Sequence, residues 1–280
     1  MRRTCKSASD VKMPASSHVA VVTGANKGIG YHIAKQLISS GLFGHVVLAC
    51  RDATRGTKAA SELGGSFLPL DVGDASSRAK FVEELTAKYG RWDCLVNNAA
   101  TAYKNADPTP FAEQTEPTLR VNFHGTLDVT ERLLPLLLHP DAVDPRIVSV
   151  ASMAGRLGQV SPELQKKFSS PSLGLAELRG LVGQFESAVA SGTHARQGWG
   201  KSNYGMSKLA VIAATRVLAR EHPSIKVNCC CPGYCDTDMT SHKGPRPPSE
   251  GARNAVVLVT TPRDAVPTGA FYQNEWPSQW

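Results

Sequence analysis

Four apolar, β-branched-rich runs in the first half of the chain alternate with stretches of helical periodicity: HVAVVT (18–23), HVVLAC (45–50), SFLPLD (66–71) and DCLVNN (93–98). Strands that are apolar almost throughout have no solvent face, so they belong in a parallel sheet covered by helices on both sides. The alternation continues with RIVSVAS (146–152), IKVNCCC (225–231) and a short GAFY (269–272). Helices are predicted over 27–40, 53–63, 74–89, 111–138 and 201–221. The fold class expected is α/β, a Rossmann-type doubly wound parallel sheet of about seven strands in one domain. Two stretches break the pattern. SPELQKKFSSPSLGLAELRGLVGQFES (161–187) reads as two amphipathic helical pieces split by a Ser/Pro turn, and SHKGPRPPSEG (241–251) carries Pro and Gly that forbid regular structure.

With 280 residues, 41% of them hydrophobic, the chain can bury one substantial core. No apolar run approaches the roughly 20 residues needed to cross a bilayer, and the start lacks the apolar stretch of a secretory signal. A soluble, cytoplasmic protein with no membrane partner is expected. The seven cysteines show neither paired framework spacing nor a metal pattern, which points to free thiols in a reducing compartment and no metal. Of the formal charge of +7, residues 1–17 supply +3, from Arg2, Arg3, Lys6 and Lys12 against Asp10. No basic stripe is interleaved with aromatics, so nucleic acid is not an expected partner. Residues 1–17 read as a disordered basic extension before a domain spanning 18–280. Mitochondrial targeting by this extension is the weaker reading, because it lacks a clear amphipathic helix.

After the first strand comes TGANKGIG, Thr23 to Gly30, leading into a helix. Glycines let the backbone turn tightly and approach a pyrophosphate, whose charge then faces the amides of a helix N-terminus. Strand before and helix after make this a dinucleotide site. At the end of the second strand an acid would select NAD(H), whereas a cation would pair with the 2′-phosphate of NADP(H). Arg51, Arg55 and Lys27 converge there, and Asp52 reads as a helix N-cap, so NADP(H) is the cofactor expected. Asp71, followed by Val72, suits either the adenine amino group or a strand-end cap. Asn97 and Asn98, before Ala99 and Ala100, could fix loop backbone or touch cofactor.

Ser149 and Ser152 close the fifth strand, and Tyr204 and Lys208 lie four residues apart on one face of a following helix. A phenol has a reference pKa of about 10, and an adjacent ammonium is expected to lower it and make Tyr204 a usable proton donor and acceptor.

These motifs together resemble the short-chain dehydrogenases and reductases: T-G-x-x-x-G-x-G (Thr23, Gly24, Gly28, Gly30), N-N-A (97–99), Ser152, Tyr204-x-x-x-Lys208 and Pro232-Gly233. The resemblance implies a catalytic tetrad of Asn122, Ser152, Tyr204 and Lys208. Tyr204 would be the general acid, Lys208 would tune it and hold the nicotinamide ribose, Ser152 would steady the carbonyl oxygen, and Asn122 would support a water in the proton relay. It further implies cofactor contacts from Thr23, Gly24, Asn26, Lys27, Gly28, Ile29, Gly30, Arg51, Arg55, Asp71, Val72, Asn98, Ala99, Tyr204, Lys208, Pro232, Gly233 and Thr237.

Closer still, the stretches TGANKGIG, CRDATRG, ADPTPF, SPELQKKF, GWGKSNYG and CCPGYCDTDM, with the final Gln279-Trp280, resemble the monomeric NADPH-dependent carbonyl reductases. Ser152 and Tyr204 are 52 residues apart here, against about a dozen in most of the wider family. The helical insertion responsible, about 156–197, is expected to cover with Leu164, Phe168, Leu175, Leu178, Leu181, Val182 and Phe185 a surface used elsewhere in the family for dimerisation. A monomer follows. Two departures stand out: Ala100 where the family has glycine, and Tyr234 where carbonyl reductases often have tryptophan. By position, Ser152, Tyr103, Met153, Trp199, Tyr234 and Met239 are the expected substrate contacts. The residue matching Cys231 lies near a glutathione-binding region in the carbonyl reductases, so glutathione adducts are candidate substrates beside a plain core role for this thiol.

The function expected is transfer of hydride from NADPH to a ketone, aldehyde or quinone carbonyl. The alternatives are a reductase dedicated to one pterin, steroid or terpenoid ketone, and an NADP(H)-binding sensor or scaffold without turnover.

Overall fold

The computed structural model describes residues 18–280 apart from positions 105 and 141, so the readings of the 1–17 extension lie outside the described residues. Strands β1 (Val19–Thr23), β2 (His45–Cys50), β3 (Ser66–Pro69), β4 (Cys94–Asn97), β5 (Arg146–Val150), β6 (Lys226–Cys230), β7 (Phe271–Gln273) and β8 (Trp276–Ser278) form one sheet in the order β3-β2-β1-β4-β5-β6-β7-β8. All pairs are parallel except β7 with β8, which is antiparallel. The strand order reverses between β1 and β4, and such a crevice at the carboxyl edge of an open α/β sheet is where ligands bind.

Helices α1 (Gly28–Ser39), α2 (Ala53–Leu63), α3 (Ala75–Tyr89), α4 (Phe111–Leu119), α5 (Thr126–Leu137), α6 (Pro162–Ser169), α7 (Leu175–Ala190), α8 (Asn203–Glu221), α9 (Pro248–Gly251) and α10 (Arg253–Thr260) cover the two faces. Alternate residues of one strand feed opposite cores: Val19 and Val21 pack with the residues of α3, α5 and α8, whereas Ala20 and Val22 pack with those of α1 and α10.

The expected seven strands become eight. β8 is the addition, and it exists because Asn274 and Glu275 both take positive φ, 50° and 69°, closing a two-residue hairpin whose backbone twist suits antiparallel neighbours. The single helix predicted over 111–138 is α4, a π-helix at Arg120–Gly125, and α5. A Cβ on Gly125 would stand 2.0 Å from the Val72 carbonyl, so only glycine lets this segment press against the loop after β3. The 241–251 segment, read as wholly irregular, ends in the short α9, whose first residue is Pro248. The following α10 was absent from the sequence reading.

The insertion does consist of two helices. Ser161 caps α6 by accepting from the Leu164 N–H, with Pro162 at the first helical position. The segment leaves and returns at one point, because the Ser161 N–H donates to the Gly198 carbonyl at 2.8 Å and a Cβ on Gly198, at φ 78°, would lie 2.4 Å from Ser161 Cβ. Leu164, Phe168, Leu178, Leu181, Val182 and Phe185 are all buried in one core with Met206, Leu209, Ala210 and Ala213 of α8, and Leu175 packs at its margin. Among the described residues no helix is long and apolar enough to cross a membrane.

Candidate active site

Tyr204 and Lys208 stand one turn apart near the start of α8, which opens with Ser202 as N-cap. The Lys208 Nζ lies 5.6 Å from the Tyr204 ring centroid and donates to the Val150 carbonyl at the end of β5, 2.7 Å away. Ser152 lies beside the Tyr204 phenol and pulls its pKa down, and its Oγ accepts from the Ala154 N–H at 3.1 Å. The expected lowering of the phenol is overturned. Burial pushes Tyr204 up to about 12, the Ser152 hydroxyl pulls it back only partly, and the neighbouring Cys231 adds to the rise. Burial likewise lowers Lys208 to about 8, since a desolvated ammonium loses its proton more readily; the thiols of Cys230, Cys231 and Cys229 oppose this. The low-dielectric floor outweighs the attraction between the two groups.

Asn122 lies in the π-helix, fully buried. Its Oδ1 accepts from the Thr101 N–H at 2.8 Å, and its Nδ2 donates to the Thr101 carbonyl at 2.9 Å and to Ser207 Oγ at 3.0 Å. Ser207 Oγ in turn donates to the Tyr204 carbonyl. One amide thus joins the loop after β4, the π-helix and the turn carrying Tyr204. Cys231 Sγ accepts from the N–H groups of Met153 and Gly233 at 3.3 and 3.4 Å, tying the Ser152 turn to the Pro232-Gly233 loop.

At the other side of the crevice the Thr23 hydroxyl accepts from the N–H groups of Asn98 and Ala99, and Asn98 Nδ2 donates to the carbonyls of Thr23 and Gly24. Asn97 Nδ2 is spent on Thr130 Oγ1. Both asparagines therefore hold backbone and neighbouring elements. Gly24 needs its φ of 66°, and Gly30 has no room for a side chain, with a Cβ falling 2.4 Å from the Gly24 carbonyl. Ala100 stands outside the positive-φ residues, so an alanine there carries no backbone strain. Asp71 accepts from the Gly73 N–H, the strand-end cap of the two readings, while Val72 is buried beneath.

A dinucleotide fits the loop on two observations. The amides at the start of α1 have no side-chain cap, unlike those of α2 and α3, capped by Asp52 and Asp74. Gly28 faces Thr237, its Cβ position 3.5 Å from the threonine methyl, so Asn26 to Gly28 and the Pro232-to-Thr237 loop approach one another across the strand ends. Two of the three expected cations are engaged by carboxylates. Lys27 pairs with Asp238 at 2.5 Å and Arg55 with Asp52 at 2.6 Å, whereas Arg51 is exposed and has no ion-pair partner among the described residues.

Comparison with known proteins agrees with this geometry. The family model described as short chain dehydrogenase matches residues 18–163 and 188–247, interrupted only inside the helical insertion. The chain belongs to the short-chain dehydrogenase family. This short-chain dehydrogenase is 41% identical to carbonyl reductase [NADPH] 1 of Homo sapiens over 96% of its own length and 100% of that protein, and 40% identical to the Mus musculus protein of the same name over 96% and 100%. Among solved structures, salutaridine reductase from Papaver somniferum matches with a TM-score of 0.83 at 32% identity, covering 91% of this chain and 99% of that one. Menthone neomenthol reductase from Mentha piperita matches at 0.76 and 31%, covering 91% and 98%.

Of the expected substrate contacts in this short-chain dehydrogenase, Tyr234 and Met239 are exposed, and Tyr103 and Met153 are half-buried. Trp199 is a correction: it is buried, with its ring 5.7 Å from Phe185 and 6.3 Å from Phe168, and belongs to the core under the insertion. Sequence reasoning missed Asn254, which donates to the Cys231 carbonyl and accepts from the Glu275 N–H, and the capture of Lys27 by Asp238. Neither has a local signal, since each joins positions more than 20 residues apart. The depressed Lys208 yields a stability test. Its proton is bound more weakly in the folded chain than in the unfolded one, so it costs stability below about pH 8, and the cost disappears as pH rises toward 10.5. Urea unfolding of the parent and Lys208→Met should show the variant more stable at pH 7 by on the order of 3 kcal/mol, with the gap closing above pH 10.

Proposed function

We propose that this short-chain dehydrogenase is an NADPH-dependent carbonyl reductase acting on ketones, aldehydes or quinones. The observation that carries the reading is the placing of Tyr204 and Lys208 one turn apart at the start of α8, with Lys208 Nζ on the Val150 carbonyl at the end of β5, where the Ser152 turn begins. The full-length likeness to carbonyl reductase [NADPH] 1 supports it. NADPH supplies the hydride when bound. Tyr204 gives its proton to the carbonyl oxygen, and a phenol pushed to about 12 remains loaded for that step across the physiological range. The Ser152 hydroxyl positions the oxygen, Lys208 holds the floor beneath it through Val150, and Asn122 braces the turn through Ser207. The glycine loop and the uncapped start of α1 receive the pyrophosphate. Arg51 takes the 2′-phosphate, because Arg55 and Lys27 are already engaged by carboxylates.

Tyr103, Met153, Tyr234 and Met239, none of them fully buried, are the proposed rim of the cleft, apolar and aromatic and suited to bulky carbonyl compounds. Cys231 is buried with its sulfur already accepting two N–H groups, which favours a structural role over contact with glutathione adducts. A narrower reading, one dedicated ketone, draws support from the likeness to two reductases named for single compounds, salutaridine and menthone. The sensor reading has no use for Asn122, Ser152, Tyr204 and Lys208 assembled together. The buried insertion also supports a monomer, since its apolar face is spent on α8.

NADPH oxidation against quinones, aromatic ketones, aldehydes, pterins and terpenoid ketones is expected to show turnover, with Tyr204→Phe losing at least about 100-fold in kcat. A variant as active as the parent refutes the mechanism, and an inert parent that binds NADPH tightly favours the sensor. Arg51→Asp should weaken NADPH binding by at least about tenfold while leaving NADH binding nearly unchanged; equal losses would remove the 2′-phosphate assignment. Light scattering at micromolar concentration should give a monomer mass, and a dimer or tetramer contradicts the proposed role of the insertion.

A further inference from the structure

Ser152 sits on a short turn, and what holds that turn is the question. Ser152 begins a single 3₁₀ turn, Met153–Gly155, which has too few internal bonds to fix its own position. Gly155 rests directly on the backbone of α8: a Cβ there would lie 2.6 Å from the Lys208 carbonyl carbon and 2.7 Å from the Leu209 nitrogen. The turn that carries Ser152 and the helix that carries Tyr204 and Lys208 therefore meet at one glycine. Gln159 ties the turn to α8 on one side, its Nε2 donating to the Ala154 carbonyl at 2.7 Å and the Gly205 carbonyl at 3.2 Å, and a second group holds it.

Trp280 does so from the outer side. Its indole Nε1 donates to the Gly155 carbonyl at 2.9 Å, bridging 125 residues of sequence. The guanidinium of Arg216, two turns along α8 from Lys208, lies 5.4 Å from the indole ring. The ring also packs against the cluster of Ala151, Val211, Ile212, Cys229, Cys231 and Phe271, on which Met153 rests as well. Its delivery depends on the β7–β8 hairpin. That hairpin is held at its turn, where the Glu275 N–H donates to Asn254 and Asn274 accepts from Arg246 at 3.1 Å. Asn254 is the residue whose amide donates to the Cys231 carbonyl.

We infer that Trp280 is a positioning residue for the reduction: it clamps the Ser152 turn onto α8 and so sets the distance between the Ser152 hydroxyl and the Tyr204 phenol. The inference rests on the roles proposed above for those two residues. Catalytic geometry is steep in distance, so a turn that lifts by a fraction of an ångström loses rate while leaving the cofactor site, on the far side of Tyr204, intact.

The test uses the full chain with NADPH and a carbonyl substrate it turns over. Trp280→Phe keeps an aromatic ring over α8 and removes the pyrrole half of the indole with its N–H. It should lower kcat roughly tenfold with the NADPH dissociation constant unchanged and the protein fully folded at the assay temperature. In a Ser152→Ala background the same change should cost almost nothing further, because its effect runs through that hydroxyl. A Trp280→Phe protein with parental kcat overturns the inference, as does one whose tenfold loss recurs undiminished in the Ser152→Ala background, since the indole would then act on something else. Tyr204→Phe run alongside separates the two proposals: if it retains parental activity the reductase mechanism itself fails, whereas an inactive Tyr204→Phe beside a fully active Trp280→Phe removes the clamp alone.

Discussion

The burial of the first half of helix α8 is the constraint on which the rest of this structure depends. Every residue from Gly205 to Thr215 is buried, including Ser207, Lys208 and Thr215. A helical stretch buried all round must be covered on all sides, and a single sheet covers only one of them. The remaining faces are closed by α4 with the π-helix and by α6 and α7, whose leucines and phenylalanines share a core with its alanines. The chemistry follows from this burial. A lysine ammonium and a tyrosine phenol in the same dry floor both move toward their neutral forms, one down to about 8 and the other up to about 12. The result is a phenol that keeps its proton.

Polar groups in such an interior must find partners, and here those partners knit the site together. Lys208 reaches the Val150 carbonyl, Asn122 reaches Thr101 and Ser207, and Asn254 reaches Cys231 and the β7–β8 turn. Each bond ties together elements that are distant in the chain. The cofactor side is built differently. There Thr23 and Asn98 join the ends of β1 and β4 through backbone groups, and the positions left open are the amides at the start of α1. Charge at its rim is largely internally paired, Lys27 with Asp238 and Arg55 with Asp52. Exposed pairs of this kind contribute little to stability.

How far the sequence reveals this varies by element and has a physical reason in each case. The inner strands β1, β2, β4, β5 and β6 are buried on both faces, so their residues are apolar whatever surrounds them, and they stand out as runs. α2 and α3 carry their N-caps, Asp52 and Asp74, beside them in the chain. β8 has no such run: it is three residues at an exposed edge, and it exists because a hairpin turn is held by residues of α10 and the preceding loop. The π-helix reads as plain helix in sequence, because the choice between ladders is made by the Val72 carbonyl against Gly125. Trp199, aromatic and near the catalytic tyrosine in sequence, reads as a pocket wall, yet the insertion provides two phenylalanines that enclose it.

The sequence by itself determined the doubly wound sheet, the glycine loop after β1 and the helical placing of Tyr204 and Lys208 on one face, because each depends on periodicity or short-range spacing. Only the tertiary structure decided the protonation of the phenol and the lysine, the pairing of Lys27 and Arg55 that leaves Arg51 free, and the clamp from Trp280 onto Gly155. Those properties arise from desolvation and from contacts between distant positions, and neither leaves a pattern in neighbouring residues. The 52-residue interval between Ser152 and Tyr204 shows both sides of this division. Its amphipathic helices are legible as helices, while the pinch at Ser161 and Gly198, which returns the chain to the catalytic helix, is a matter of two backbones meeting where only a glycine fits.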